Sequence, residues 1–184
     1  MKDVLIGGYY NHYKNKPYKV LDVAKHSEDL QDYVVYKALY SNETAKTWIR
    51  PYKMFMEEVN GHQRFELLDP QNWPIVFSYF HSHIYFNEET FDKAAEFCEE
   101  FKRLGVDLQI SSLHRRLLGP HPEWMFEVDF KVQDFKKLID FMQKKRNGLN
   151  IFIHPLSGNE LLDHTDYALF LGEKVDLNLS IFSK

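Results

Sequence analysis

Cysteine is almost absent from this chain: Cys98 is the only one in 184 residues. No intrachain disulfide and no cysteine-built zinc site can therefore form. Within Phe97-Cys98-Glu99-Glu100-Phe101 the lone thiol reads as a buried structural residue rather than a nucleophile. Long apolar runs are also missing, and nothing approaches the ~20 residues needed to cross a bilayer. Met1-Lys2-Asp3-Val4 opens without the apolar core of a signal peptide, so a cytoplasmic location is expected. Positive charge is not in excess either. With 23 Lys and Arg against 27 Asp and Glu the formal net charge is -4, which offers no general attraction to phosphates or to an anionic membrane. Neither nucleic acid nor a membrane is an expected partner.

What the chain does have is rings. Phe 15, Tyr 11 and Trp 3 within 44% hydrophobic residues let even small domains bury a core. The periodicity divides at Asp69-Pro70-Gln71-Asn72-Trp73-Pro74, where prolines and turn-formers interrupt it. This predicts two domains, residues 1–70 and 71–184. The first reads as short strands at about 18–24, 33–40, 47–50, 55–59 and 64–67, with Asn60-Gly61 as a hairpin turn. That pattern suggests a small all-β barrel. The second reads as a strand over 75–86, a helix over 89–104 with Phe91, Ala94, Ala95, Cys98 and Phe101 on one stripe, and strands over 106–112 and 124–130. A helix over 133–145 and a strand over 149–154 complete it. Gly105 ends the first helix, in the manner of a left-handed cap. The order βαββαβ is that of the ferredoxin-like plait, making the whole chain α+β. In that plait the helices cover one sheet face, the other face stays open to a partner or a ligand, and the strand order is 4-1-3-2.

Parity then sorts the side chains. Val76, Phe80, Ile84 and Phe86 fall on the helix-covered face, with Trp124, Phe126, Val128, Phe130, Ile151 and Ile153. Phe77, Tyr79, His81, His83 and Tyr85 fall on the other, with Met125, Glu127, Asp129, Phe152 and His154. Two histidines at i and i+2 have Cα atoms roughly 7 Å apart, close enough for both imidazoles to reach one ion at about 2.0–2.1 Å. His81, His83, His154 and Glu127 are thus candidate metal ligands, with His154 and Glu127 competing for the third place. Imidazoles with a carboxylate suit Fe(2+), and Zn(2+) or another divalent ion is the alternative. A single strand histidine is more often a packed core residue; it is the clustering that favours a site.

The connections supply further groups. Leu113-His114-Arg115-Arg116-Leu117-Leu118-Gly119-Pro120-His121-Pro122 contains Gly119 and two prolines that would hold His121 in place, and an imidazole there suits acid–base work near neutral pH. Arg115 and Arg116 offer carboxylate-binding forks, although a solvated surface pair is their commoner fate. His114 and Tyr85 are further candidate substrate contacts. Asp163-His164-Thr165-Asp166, after the Ser157-Gly158-Asn159 turn, reads as a helix cap or as a lid that adds His164 to the catalytic candidates.

These motifs carry a resemblance. His81-Ser82-His83-Ile84-Tyr85-Phe86, Gly119-Pro120-His121-Pro122, His154-Pro155 with Ser157-Gly158, Asp163-His164-Thr165 and Leu171-Gly172-Glu173 with the apolar tail 177–181 resemble the DOPA 4,5-dioxygenase family. The likeness runs over about 75–183. It implies a ferredoxin-like plait, non-haem ferrous iron, and extradiol cleavage of a small catechol-type aromatic by dioxygen. Leu113 stands where the family commonly has Trp, and Tyr167 where many relatives carry another histidine, which bears on substrate identity more than on the metal. The first half is similar to a short bacterial domain of unknown function, through His12-Tyr13-Lys14, Lys16-Pro17-Tyr18, His26-Ser27-Glu28, Val34-Val35-Tyr36, Leu39-Tyr40, Trp48-Ile49-Arg50-Pro51, Phe55 and Arg64-Phe65. That likeness implies an SH3-like barrel with no known activity. Trp48, Arg50, His26 and Glu28 could line a groove there, structural roles being the more frequent for such residues. The competing expectation is a non-catalytic binding module whose Phe77, Tyr79 and Phe152 pack across a homodimer axis. A homodimer is compatible with either reading.

Overall fold

A computed structural model of the chain describes residues 3–74 and 77–182. They form two compact units, Val4–Pro74 and a second of Ile75–Lys184 with Met1–Asp3, and the class is mixed α+β.

In the first unit β1 (Tyr9–His12), β2 (Lys16–Lys25), β3 (Asp32–Ala38) and β4 (Thr47–Pro51) lead into a one-turn helix α1 (Tyr52–Met56). β5 (Glu58–Val59), β6 (His62–Gln63) and β7 (Phe65–Leu67) follow. Five strands make one sheet in the order β4-β3-β2-β1-β7, and β5 pairs with β6. Asn60 and Gly61, at φ 53° and 79°, turn that hairpin, because both central positions of such a turn need positive φ. Two expectations change. The apolar stretch expected as a strand over 55–59 is helical up to Met56: Pro51 stands extended at the N-cap, with ψ 132°, where the N–H that proline lacks has no helical partner to lose, and the turn begins at Tyr52. Tyr9–His12, not anticipated as a strand, pairs on both sides, with β2 and β7. The core is ring-rich: Phe55 and Phe65 stack at 4.1 Å, and Tyr36 meets both edge-on.

In the second unit β8 (Tyr79–Phe86), α2 (Phe91–Lys102), β9 (Gln109–Ile110), β10 (Trp124–Lys131), α3 (Phe135–Lys145), β11 (Ile151–Pro155), α4 (Glu160–Asp163) and β12 (Leu169–Leu171) follow in turn. The sheet order is β12-β11-β8-β10-β9, and every pairing is antiparallel. β8 is therefore central, as expected, and β12 adds an edge strand that was not foreseen. The first strand begins only at Tyr79; Ile75 and Val76 lie outside the described residues. The expected strand over 106–112 shrinks to two residues, because after Ser111 the chain peels away and returns to β10 at His114, opposite Met125.

Helix stripes and strand parity meet in one core. Phe97 and Phe101 of α2 pack edge-on to Phe126, and Phe135 of α3 contacts Phe80 and Phe130. Ala94, Phe97, Cys98 and Phe101 are buried; Phe97 joins the stripe, and Phe91 and Ala95 are only half-buried. Gly105, at φ 63°, takes the left-handed conformation expected after α2.

Candidate metal centre

The other sheet face is where the histidines gather. Antiparallel register sets His81 opposite His154 on β11 and opposite Asp129 on β10, and sets His83 opposite Phe152 and Glu127. Directly opposed residues share a face with Cβ atoms about 4.5–5.5 Å apart, so these rings must meet. One nitrogen each from His81, His83 and His154 lies within 4.8 Å of the other two.

The closest approach is between His83 Nε2 and His154 Nε2, at 3.1 Å. Their other nitrogens decide what this contact means. His154 Nδ1 lies 2.9 Å from the Pro155 carbonyl, which can only accept, so Nδ1 carries the proton and Nε2 of the neutral ring is bare. His83 Nδ1 faces Met125 Sδ at 3.2 Å and Glu127 Oε1 at 3.5 Å, both acceptors, which again favours a proton on Nδ1 and a bare Nε2. Two lone pairs aimed at one another repel unless a cation lies between them. Two ligands each about 2.0–2.1 Å from one ion sit roughly 2.9–3.4 Å apart at angles between octahedral and tetrahedral values. The observed 3.1 Å falls inside that range. The donor set fits a divalent metal.

Burial adds to this. His83 and His154 are nearly inaccessible, whereas His81 is half-buried. Burial, reinforced by neighbouring imidazoles, holds His83 well below the usual histidine range and His154 at about 3. Neutral rings are the form that binds metals.

This face is not open, contrary to expectation. Phe152 is fully buried and Phe77 nearly so, covered by other parts of the chain. His121 stands over His83 with ring centres 4.0 Å apart, His164 contacts His154 at 4.4 Å, and Phe182 packs on His164 at 4.8 Å. Asn178 N–H donates to the Pro120 carbonyl, tying the last segment to the loop that carries His121. The rings proposed for a dimer contact are thus used within the chain; only Tyr79 is well exposed.

The remaining site candidates divide. His121 is buried and held at about 4, chiefly by burial and then by His164. Its Nδ1 lies 2.7 Å from the hydroxyl of Tyr85, which is itself only 2% exposed. Burial also pushes the Tyr85 hydroxyl upward, which keeps it protonated. His164 is the C-cap residue of α4, and its Nδ1 donates to the Glu160 carbonyl and leaves Nε2 bare. Arg115 lies over the Phe91 and Trp124 rings, 3.9 Å from Glu88, and Arg116 is exposed. His114 is held by its backbone bridge to Met125. Beside His81 opens a cavity of about 550 Å³, lined also by Tyr79, Asp107, Gln109, Asp129, Phe130, Lys131 and Leu156. None of these but Tyr79 and Asp129 had been placed on the site face by parity. The signal that could have found Gln109 and Lys131 was the same alternation, carried one residue pair further along β9 and β10.

The family described as Dopa 4,5-dioxygenase matches residues 80–181, more than half of the chain and every histidine of the cluster. The chain belongs to the Dopa 4,5-dioxygenase family. Residues 8–67 match a second family, described as protein of unknown function DUF1653. Among curated relatives, an uncharacterized 21.2 kDa protein of Botryotinia fuckeliana is 34% identical over 116 residues, 57% of this chain and 63% of that protein. The DOPA 4,5-dioxygenase of Amanita muscaria is 28% identical over 108 residues, 54% of this chain and 47% of that enzyme. The chain therefore spans less than two thirds of either relative. The crystal structure of "a putative dioxygenase" from Nostoc punctiforme is 32% identical and superposes with a TM-score of 0.54, covering 58% of this chain and 92% of that one. The match to the dioxygenase family and the histidine face thus fall in the same unit. Among the described residues no helix is long and apolar enough to cross a membrane.

Proposed function

We propose that this protein is a metal-dependent extradiol dioxygenase that opens a catechol-type aromatic ring with dioxygen, its metal held by His81, His83 and His154. The observation that carries the proposal is the 3.1 Å approach of two bare Nε2 atoms inside a three-histidine cluster, in a chain of the Dopa 4,5-dioxygenase family. Fe(2+) is the favoured ion and Zn(2+) the alternative. When bound, such an ion would acidify the catechol hydroxyls and activate dioxygen. The fold reading that goes with this is a ferredoxin-like plait, supported by the order β11-β8-β10-β9. An SH3-like barrel precedes it, supported by the five-stranded antiparallel sheet with a bulge between Val20 and Asp22.

The chain's own groups supply the rest. His121, neutral at ordinary pH, accepts a phenolic proton at Nε2 while its Nδ1–H donates to Tyr85 Oη, and returns the proton later in the cycle. The Tyr85 hydroxyl can rotate to donate instead, so both tautomers of His121 keep a partner. The His164 ring, with Phe152 and Phe182, keeps water from the cluster. The cavity beside His81 admits the aromatic, its size being ordinary for a small-molecule site. The competing reading, a binding module dimerising through Phe77, Tyr79 and Phe152, has less support, because Phe77 and Phe152 are already covered and Tyr79 alone of the three is well exposed.

Ferrous-loaded protein offered a panel of catechols in air should give yellow ring-opened products, and His83→Ala should abolish them. Stoichiometric iron with no ring opening across the panel would remove the enzymatic claim.

A further inference from the structure

We infer that Glu127 and Asp129 are positioning residues, each standing behind a histidine of the cluster and fixing which ring nitrogen faces the ion. The inference rests on the proposed metal site and deepens it.

The argument starts from register. On β8 the histidines occupy positions i and i+2, and on β10 the carboxylates do the same. Because the strands are antiparallel and adjacent, His83 is opposed by Glu127 and His81 by Asp129. Two carboxylate–imidazole pairs therefore stand side by side on one face. Glu127 Oε1 is 3.5 Å from His83 Nδ1, and Asp129 Oδ1 is 3.4 Å from His81 Nε2. Small ring rotations bring either to hydrogen-bond length. Asp129 Oδ1 is buried and accepts no hydrogen bond, and the imidazole opposite, at 3.4 Å, offers it a strong donor.

The two nitrogens of a ring lie on opposite edges. Glu127 meets His83 on the Nδ1 edge, whereas the contact with His154 is made by Nε2. The carboxylate is therefore behind the ring and not beside the ion. This takes Glu127 out of the competition for third ligand and gives it another task. His154 has the corresponding acceptor in the Pro155 carbonyl, so both rings of the closest pair carry an acceptor on the edge away from the other, and His81 has Asp129 at its Nε2. Histidine ligands are regularly oriented by such partners, whose loss typically costs 10–100-fold in metal affinity. Met125 Sδ also touches His83 Nδ1, but a thioether is a weak acceptor and carries no charge to stabilise the ring once it is bound.

The test uses the full chain stripped of metal, titrated calorimetrically with Zn2+ in a competing chelator, and with Co2+ followed by visible absorption. Asp129→Asn and Glu127→Gln should each still take one Co2+ per chain with unchanged ligand-field bands, and bind Zn2+ about 10–100-fold more weakly than wild type. Glu127→Ala and Asp129→Ala, which leave no acceptor, should lose at least as much. Met125→Leu should stay close to wild type. Both carboxylates are about one-third exposed, so metal-free melting curves should be little changed and serve as the check on folding. Zn2+ affinities within about two-fold of wild type in all four carboxylate variants would overturn the inference. So would loss of the Co2+ bands in Glu127→Gln, as expected for His83→Ala, because Glu127 would then be a ligand. A wild-type chain that takes up neither ion would overturn the metal site itself, and the inference with it, an outcome distinct from metal that binds and ignores the carboxylates.

Discussion

At the scale of single residues, the histidines differ in what their second nitrogen touches. His83→Ala removes a buried ring at the middle of the cluster, and near-stoichiometric metal should be lost, as read by elemental analysis of protein prepared without a histidine tag. Tyr85→Phe leaves the His121 Nδ1 without its 2.7 Å partner. The expectation is a fall in kcat of about ten-fold or more, with a smaller change in KM, because a proton-transfer group is misaligned while the aromatic's cavity is untouched. Protonation gives a third outcome. In chelator-treated protein His121 and His154 titrate at about 4 and about 3, below the 6.5 usual for an unfolded chain. The folded state then binds fewer protons, so stability is full above about pH 6.5 and declines as pH falls toward 4. The slope is at most about 1.4 kcal/mol per pH unit for each histidine. Urea midpoints measured from pH 8 to pH 4 would show this fall, and a flat profile would contradict it. Residue types were the most legible part of the chain: the histidines sharing a strand face, His121 in a rigid loop and the buried Cys98 all follow from alternation and turn chemistry. Arg115 was not legible, since a guanidinium stacks on rings or binds a carboxylate with the same chemistry, and only the positions of Phe91 and Trp124 choose.

At the scale of elements, β8, β10, β11 and the two long helices follow from their periodicities, while the short pieces do not. Tyr9–His12 and Leu169–Leu171 are three or four residues long, too short for a period to register, and they exist because a neighbouring strand offers hydrogen bonds. Gly172, which follows β12, shows how tightly that edge is set. Its φ is 88°, and a Cβ there would lie 2.5 Å from Asn150 Oδ1 and 2.9 Å from Arg146 Nη1. Neither atom is free to yield. Asn150 Oδ1 accepts from Glu173 N–H, and Arg146 is held by Asp3 and the Leu149 carbonyl. Gly172→Ala should therefore cost about 2 kcal/mol or more, read as a lowered denaturant midpoint. Gly119, at φ 56°, has only His121 near, at 3.9 Å, so Gly119→Ala should cost about 1 kcal/mol through the backbone alone.

At the scale of the whole molecule, two family likenesses occupy two compact units, and the metal reading concerns one of them. An ion held at 100 times its Kd stabilises the folded state by about 2.7 kcal/mol, which for a unit of this size raises the melting temperature by about 10 °C. Calorimetry with and without chelator should show that shift in wild type and not in His83→Ala. By itself the sequence determined which residues share a sheet face, since alternation is a property of the extended backbone, and it determined the family. It did not determine that the face is roofed. The covering of Phe152, the stacking of His121 on His83, and the approach of His164 and Phe182 join residues between 10 and 38 positions apart. No local period records such contacts; they arise only when loops and the last segment close over the sheet. The contrast between His154 and Glu127 was of the same kind, because strand pairing puts both beside β8, and only the orientation of the His83 ring turns its Nε2 to His154 and its Nδ1 to Glu127.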